Sequence, residues 1–225
     1  MSSQTDDIAD LFGKYAMPVY SPTVALVSGM GSKVTDIDGM QYIDLTSGIA
    51  CLACGHCHPA VTEAIVNQAK VLPHASNLYY NTNMVLLAQN LSRLSGGYKA
   101  FFVNSGAEAN ENMVKLARLW GHDKGKYEVI TFNKSFHGRT LAMCAATAQE
   151  KIQKGFHPMP TGFAYADFND LESVKAAINE RTVAVMLEPI QAEGGVIPAE
   201  DAFLQGLAAL CKEKGLLLLM DEIQT

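Results

Sequence analysis

Apolar positions follow two rhythms along this chain, and the change between them marks its organisation. Asp6–Tyr15 carries apolar residues at helical spacing, and Pro18 and Pro22 then interrupt the pattern. Runs at Thr23–Ser28, Lys33–Ile37 and Gln41–Leu45 read as strands, the last two joined by Asp38-Gly39, a two-residue hairpin signal. A small antiparallel segment is expected. From Pro59 the spacing is helical again over Pro59–Leu72 and Met84–Leu94, the first opening on proline and the second closing on Gly96-Gly97.

Beyond this point strands and helices alternate. Ala100–Val103, Glu128–Phe132, Val183–Leu187 and Leu216–Met220 read as strands, with helices expected at Glu108–Trp120, Thr140–Ala148, Leu171–Ile178 and Ala202–Lys214. Most of these strands are continuous apolar runs, which predicts an α/β fold whose parallel or mixed sheet is covered on both faces. Leu216–Met220 is the most apolar and should be a central strand, with Asp221 where it ends. The domain boundary is expected near residue 55, between an N-terminal α+β segment (1–55) and a large α/β domain (56–225).

Composition narrows the function classes. At 225 residues and 48% hydrophobic content the chain can bury a substantial core. The net charge of −6, with scattered basic residues, gives no footprint for nucleic acid. The opening MSSQTDDIADLF is acidic where a signal peptide would be basic, and no run reaches bilayer length. A soluble cytoplasmic protein that binds neither membrane nor nucleic acid is expected, with its five cysteines as thiols. Cys51, Cys54 and Cys57 form C-x2-C-x2-C with His56 and His58 interleaved, a spacing that suggests iron–sulfur or zinc but lacks a fourth matching ligand. The alternative is a tight turn at Gly55 opening a helix, with the thiols packed beneath it.

Candidate chemistry gathers where strands end, the side on which open α/β sheets bind ligands. In Asn104-Ser105-Gly106-Ala107-Glu108, Ser105 and Glu108 suit a capping box, and the first-turn N–H groups make an anion site suited to phosphate. A plain cap explains the same residues. Phe136-His137-Gly138-Arg139 offers an aromatic face for a flat ring and a guanidinium for a carboxylate, or else a core phenylalanine, a structural histidine and a surface arginine. Glu188 and Glu193 lie in a glycine-bearing loop with no accompanying metal ligands, and Asp221 is placed to meet a cationic group. No G-x-G-x-x-G follows a strand, which disfavours a nicotinamide-binding Rossmann unit.

Taken jointly, NSGAEANE, SFHGRT, EPIQAEGGV, AFLQGL and LLLLMDEIQT resemble the class III aminotransferases of fold type I, within them the acetylornithine aminotransferase group. GSKVTDIDGMQYIDLTSGIA, GHCHPAV and SNLYYN extend the resemblance over residues 15–225. It implies a three-layer αβα large domain with a mostly parallel sheet, pyridoxal 5′-phosphate as cofactor, N-acetylornithine and 2-oxoglutarate as substrates, and a homodimer. It further implies that Gly106 and Ala107, capped by Ser105, bind the cofactor phosphate, that Phe136 stacks on the ring, and that Asp221 pairs with the ring nitrogen. Gln224 would bond the phenolic oxygen, Arg139 would take a substrate carboxylate, and Glu188 and Glu193 would shape the pocket. The lysine that forms the family's internal Schiff base is expected about one strand and helix past the DE-x-Q segment, and no lysine follows Asp221 here. Residues 1–225 are therefore expected to be the N-terminal portion of such an enzyme, lacking its catalytic lysine. The three clustered cysteines and Ala192 depart from the family pattern.

Overall fold

The computed structural model describes residues 3–225, which divide into two compact units, 3–90 and 91–225. This division falls well past residue 55. In the first unit, helix α1 (Gln4–Tyr15) starts from a full capping box: Ser3 Oγ accepts from Asp6 N, and the Asp6 carboxylate accepts from Ser3 N. Strands β1 (Leu26–Met30), β2 (Lys33–Asp36) and β3 (Gln41–Ile43) form an antiparallel sheet in that order. Asp36 Oδ1 accepts from Met40 N and closes the β2–β3 turn around Asp38-Gly39. Helix α2 (Pro59–Ala69) has proline in its first turn, and α3 (Thr82–Leu94) follows, running across the division between the units.

The second unit is built on a parallel sheet. Helix α4 (Gly106–Gly121) leads to β4 (Glu128–Phe132), α5 (Leu141–Ala146), α6 (Glu150–Gln153) and β5 (Phe163–Ala166), then to α7 (Leu171–Ala177) and β6 (Thr182–Leu187). A two-stranded antiparallel hairpin, β7 (Ile190–Gln191) with β8 (Ile197–Pro198), precedes α8 (Asp201–Lys214) and β9 (Leu217–Met220). The large sheet has the order β5-β4-β6-β9, every pair parallel.

Strand alternation sends β4 and β6 side chains into two cores. Ile130, Phe132, Val185 and Leu187 meet Val174 of α7 and Phe203, Leu207 and Leu210 of α8 on one face. There Phe132, Phe168 and Phe203 pack edge to face, with centroids 5.6–5.8 Å apart. Val129, Ala184 and Met186 meet Val114 and Ala117 of α4 and Met143 and Ala146 of α5 on the other. The three-layer αβα architecture follows from this, with β6 buried along its whole length.

Three expectations fail. Ala100–Val103 is not a strand: no neighbouring strand offers it a hydrogen-bonding ladder, and apolar content without a ladder does not make one. For the same reason β9 is not central. Among the described residues it pairs only with β6 and is half-buried along its length. The stretch between α5 and α7, to which the sequence pattern assigns no element, contains α6 and β5, and β5 extends the sheet beside β4 in register from Val129↔Phe163 to Phe132↔Ala166.

Candidate functional site

Asp221 lies one residue past β9, and its N–H donates to Leu187 O at 2.8 Å, extending the β6–β9 ladder by one rung. Its carboxylate is buried, 5% exposed. Oδ2 receives two donors, His137 Nδ1 at 2.7 Å and Asn110 Nδ2 at 2.8 Å, while Oδ1 receives the N–H of Ile223 at 3.2 Å. A donating Nδ1–H fixes the tautomer of His137 and leaves Nε2, which is buried and unpartnered within the protein. His137 is itself held by its N–H to Thr147 Oγ1, 2.9 Å, and by its carbonyl, which accepts from Asn110 Nδ2 at 2.9 Å.

The start of α4 closes the same site. Ser105 Oγ accepts from Glu108 N at 3.2 Å, as a helix cap should. The expected return bond, from the Ser105 N–H to the Glu108 carboxylate, does not form. Glu108 Oε2 instead accepts from Asn104 N at 2.6 Å and Asn104 Nδ2 at 3.0 Å, because two donors on Asn104 converge on one oxygen. The cap leaves the N–H groups of Gly106 and Ala107 in the first turn, where a helix has no internal acceptors and favours an anion. A β-carbon at Gly106 would lie 3.0 Å from the Ile223 side chain, so a larger residue there would have to displace that side chain.

Glu188, following β6, is buried, and its Oε2 accepts from Phe136 N at 2.9 Å. Burial pushes this carboxyl above the ordinary glutamate value of 4.5; the Phe136 N–H opposes the shift, and the charge of Asp221 adds to it. Phe136 is half-buried, with the Arg139 guanidinium 5.6 Å from its ring centroid. Arg139 is exposed, as is Gln224. Glu193 is exposed in the loop between β7 and β8.

Sequence reasoning thus found the loops and missed three side chains within them. Asn110 is 2% exposed inside α4, and a buried asparagine amid helix-forming residues is a usable signal, since it favours caps over helix interiors. For His137 the sequence favours a structural histidine over a base and gives no sign of its bond to Asp221. Ile223 gave no signal beyond its place beside Asp221.

The cysteine cluster lies in the first unit. Cys51, Cys54 and Cys57 are exposed free thiols, not packed beneath the Gly55 turn. His56 Nε2 lies 2.7 Å from Asp44 Oδ2, and His58 precedes Pro59 at the start of α2. Among the described residues no three His, Cys, Asp or Glu side chains converge as metal ligands. No described helix is long and apolar enough to cross a membrane.

With this geometry in place, comparison with known proteins is decisive. The class III aminotransferase family profile matches residues 15–225. The chain belongs to the class III aminotransferase family. It is 48% identical to the acetylornithine aminotransferase of Myxococcus xanthus over 99% of its own length and 57% of that relative's. Among solved structures it resembles the N-acetylornithine aminotransferase of Stenotrophomonas maltophilia, with 38% identity and TM-score 0.79 over 96% of this chain and 53% of that one. It likewise resembles the ornithine aminotransferase of Toxoplasma gondii, with 30% identity and TM-score 0.94 over 100% of this chain and 55% of that one. The chain thus spans little more than half the length of the relatives it matches.

Pyridoxal phosphate is the cofactor of this family, and the donor set around Asp221 fits it. An anion seat at a helix start and a buried carboxylate with one oxygen doubly satisfied are what a ligand with a phosphate and a protonated ring nitrogen requires.

Proposed function

We propose that the protein is a pyridoxal-phosphate-dependent transaminase that moves the amino group of N-acetylornithine to 2-oxoglutarate, a step of arginine biosynthesis. The observation that carries this reading is the Asp221 carboxylate, buried and oriented by His137 and by Asn110, the latter on the helix whose start is the anion seat. The cofactor, when bound, supplies an electron sink for the pair left by the substrate's α-proton. The chain's own residues do the rest. Gly106 and Ala107 N–H groups would bind the phosphate, and the Asp221 carboxylate would hold a proton on the ring nitrogen. Phe136 would cover one face of the ring and keep water from it, and Gln224 would bond the phenolic oxygen. Arg139 would bind a substrate carboxylate, and Glu188 and Glu193 would shape the pocket. The family covalent lysine is expected past the DE-x-Q segment, so residues 1–225 alone should bind cofactor without completing transfer. We further propose a cytoplasmic homodimer.

Sequence identity to acetylornithine aminotransferases supports N-acetylornithine as donor. The likeness to an ornithine aminotransferase keeps ornithine as the second reading, with succinylornithine, succinyldiaminopimelate and 4-aminobutyrate behind it. Glutamate formation from 2-oxoglutarate by the complete gene product, with each donor in turn, tests this. N-acetylornithine should give the highest kcat/KM, and preference for ornithine would replace the assignment.

A further inference from the structure

Asn110 stands four residues, just over one helical turn, inside α4 from Gly106, so it rises about 6 Å from the anion seat along the same rigid element. Its single amide nitrogen donates to two acceptors on different segments, Asp221 Oδ2 at 2.8 Å and His137 O at 2.9 Å. Both neighbours accept hydrogen bonds, so the amide must turn its NH2 toward them, and its Oδ1 is left buried with no partner in the protein. A helix-interior asparagine that gives up helix propensity and leaves a buried oxygen unsatisfied is serving some requirement other than stability.

We propose that Asn110 is a positioning residue that fixes the distance between the anion seat of α4 and the carboxylate of Asp221, so that the site selects ligands carrying an anion and a cationic aromatic nitrogen at one separation. The inference rests on the cofactor reading above. Through Asn110, the segment after β9 and the loop after β4 are both tied to the helix that seats the phosphate. A ligand that engages both ends then finds them already at the right spacing and avoids the cost of ordering them. A ligand that engages only the helix start gains nothing from the tie. Asn110 therefore acts on the coupling between the two ends and not on either end alone.

The test uses the whole chain and 4-deoxypyridoxine 5′-phosphate, an analogue with no aldehyde, so that no covalent bond to a lysine contributes. Its affinity is compared with that of inorganic phosphate for the unsubstituted chain, Asn110→Ala and Asn110→Asp. Removing a buried hydrogen bond to a charged acceptor should weaken the analogue about tenfold in Asn110→Ala and change phosphate less than about twofold. Asn110→Asp keeps the side chain's size but sets a second carboxylate against Asp221, so it should weaken the analogue further and still spare phosphate; it carries the test if the alanine variant melts before binding can be measured. Equal loss for both ligands, or no loss for either, overturns the positioning role while leaving the cofactor reading intact. Failure of the unsubstituted chain to bind the analogue overturns the cofactor reading and the role together.

Discussion

Gly138 and Ala107 touch so closely that a β-carbon at Gly138 would lie 2.7 Å from that of Ala107. Gly138 also has φ of +130°, a conformation that side chains rarely adopt. The loop carrying Phe136 and His137 is thereby pressed against the first turn of α4, and two segments far apart in sequence become two walls of one site. Gly138→Ala should force them apart. Overpacking and backbone strain together should cost about 2–4 kcal/mol of stability, read from denaturant midpoints, with weaker pyridoxal phosphate binding.

The His137–Asp221 pair should show its coupling in a double-mutant cycle. His137→Phe removes one of the two donors to Asp221 Oδ2 and leaves a buried carboxylate under-satisfied, at a cost of about 1–3 kcal/mol. In an Asp221→Ala background the same substitution should cost less, because no carboxylate remains to be satisfied. Additive losses would mean that the hydrogen bond contributes little.

Glu188 makes stability depend on pH in a defined direction. Burial raises its folded value above the ordinary 4.5, so the folded state holds this proton more tightly than the unfolded chain. Its contribution is complete below about pH 4, where both states are protonated, and is lost as pH rises through the folded value. Glu188→Gln can still accept from Phe136 N and carries no charge to bury. The variant should melt above the unsubstituted chain at neutral pH, and the gap should close near pH 4.

How much of this was legible beforehand depended on whether a signal was local. The alternation of β4, β6, α4, α7 and α8 was readable because each buries an apolar run or stripe of its own, and the Ser105 cap because its partner Glu108 N lies three residues on. The failures are non-local. Whether Ala100–Val103 forms a strand depends on a neighbour, and β9 is half-buried because its far edge has none among the described residues. Asn110 and Asp221, 111 positions apart, meet only once α4 lies over β9, and no spacing rule spans that distance. The family resemblance proposed ligand-facing residues but not the side chains that orient Asp221.

The five thiols should separate into two classes under a disulfide reagent in native buffer. Cys51, Cys54 and Cys57 are exposed and should react at once; Cys144 and Cys211 are buried, and burial pushes the Cys211 thiol up to about 11. These two should react only on unfolding. A fourth fast thiol would contradict the packing of α5 or α8.

Direct titration of the purified chain with pyridoxal phosphate, followed by the cofactor's absorbance, tests the central claim that α4 and Asp221 form a cofactor cradle. Saturable binding at one site per chain is expected, weakened by about tenfold or more in Asp221→Ala through loss of a buried charge-assisted hydrogen bond. No saturable binding, or equal affinity in the two proteins, would contradict the account.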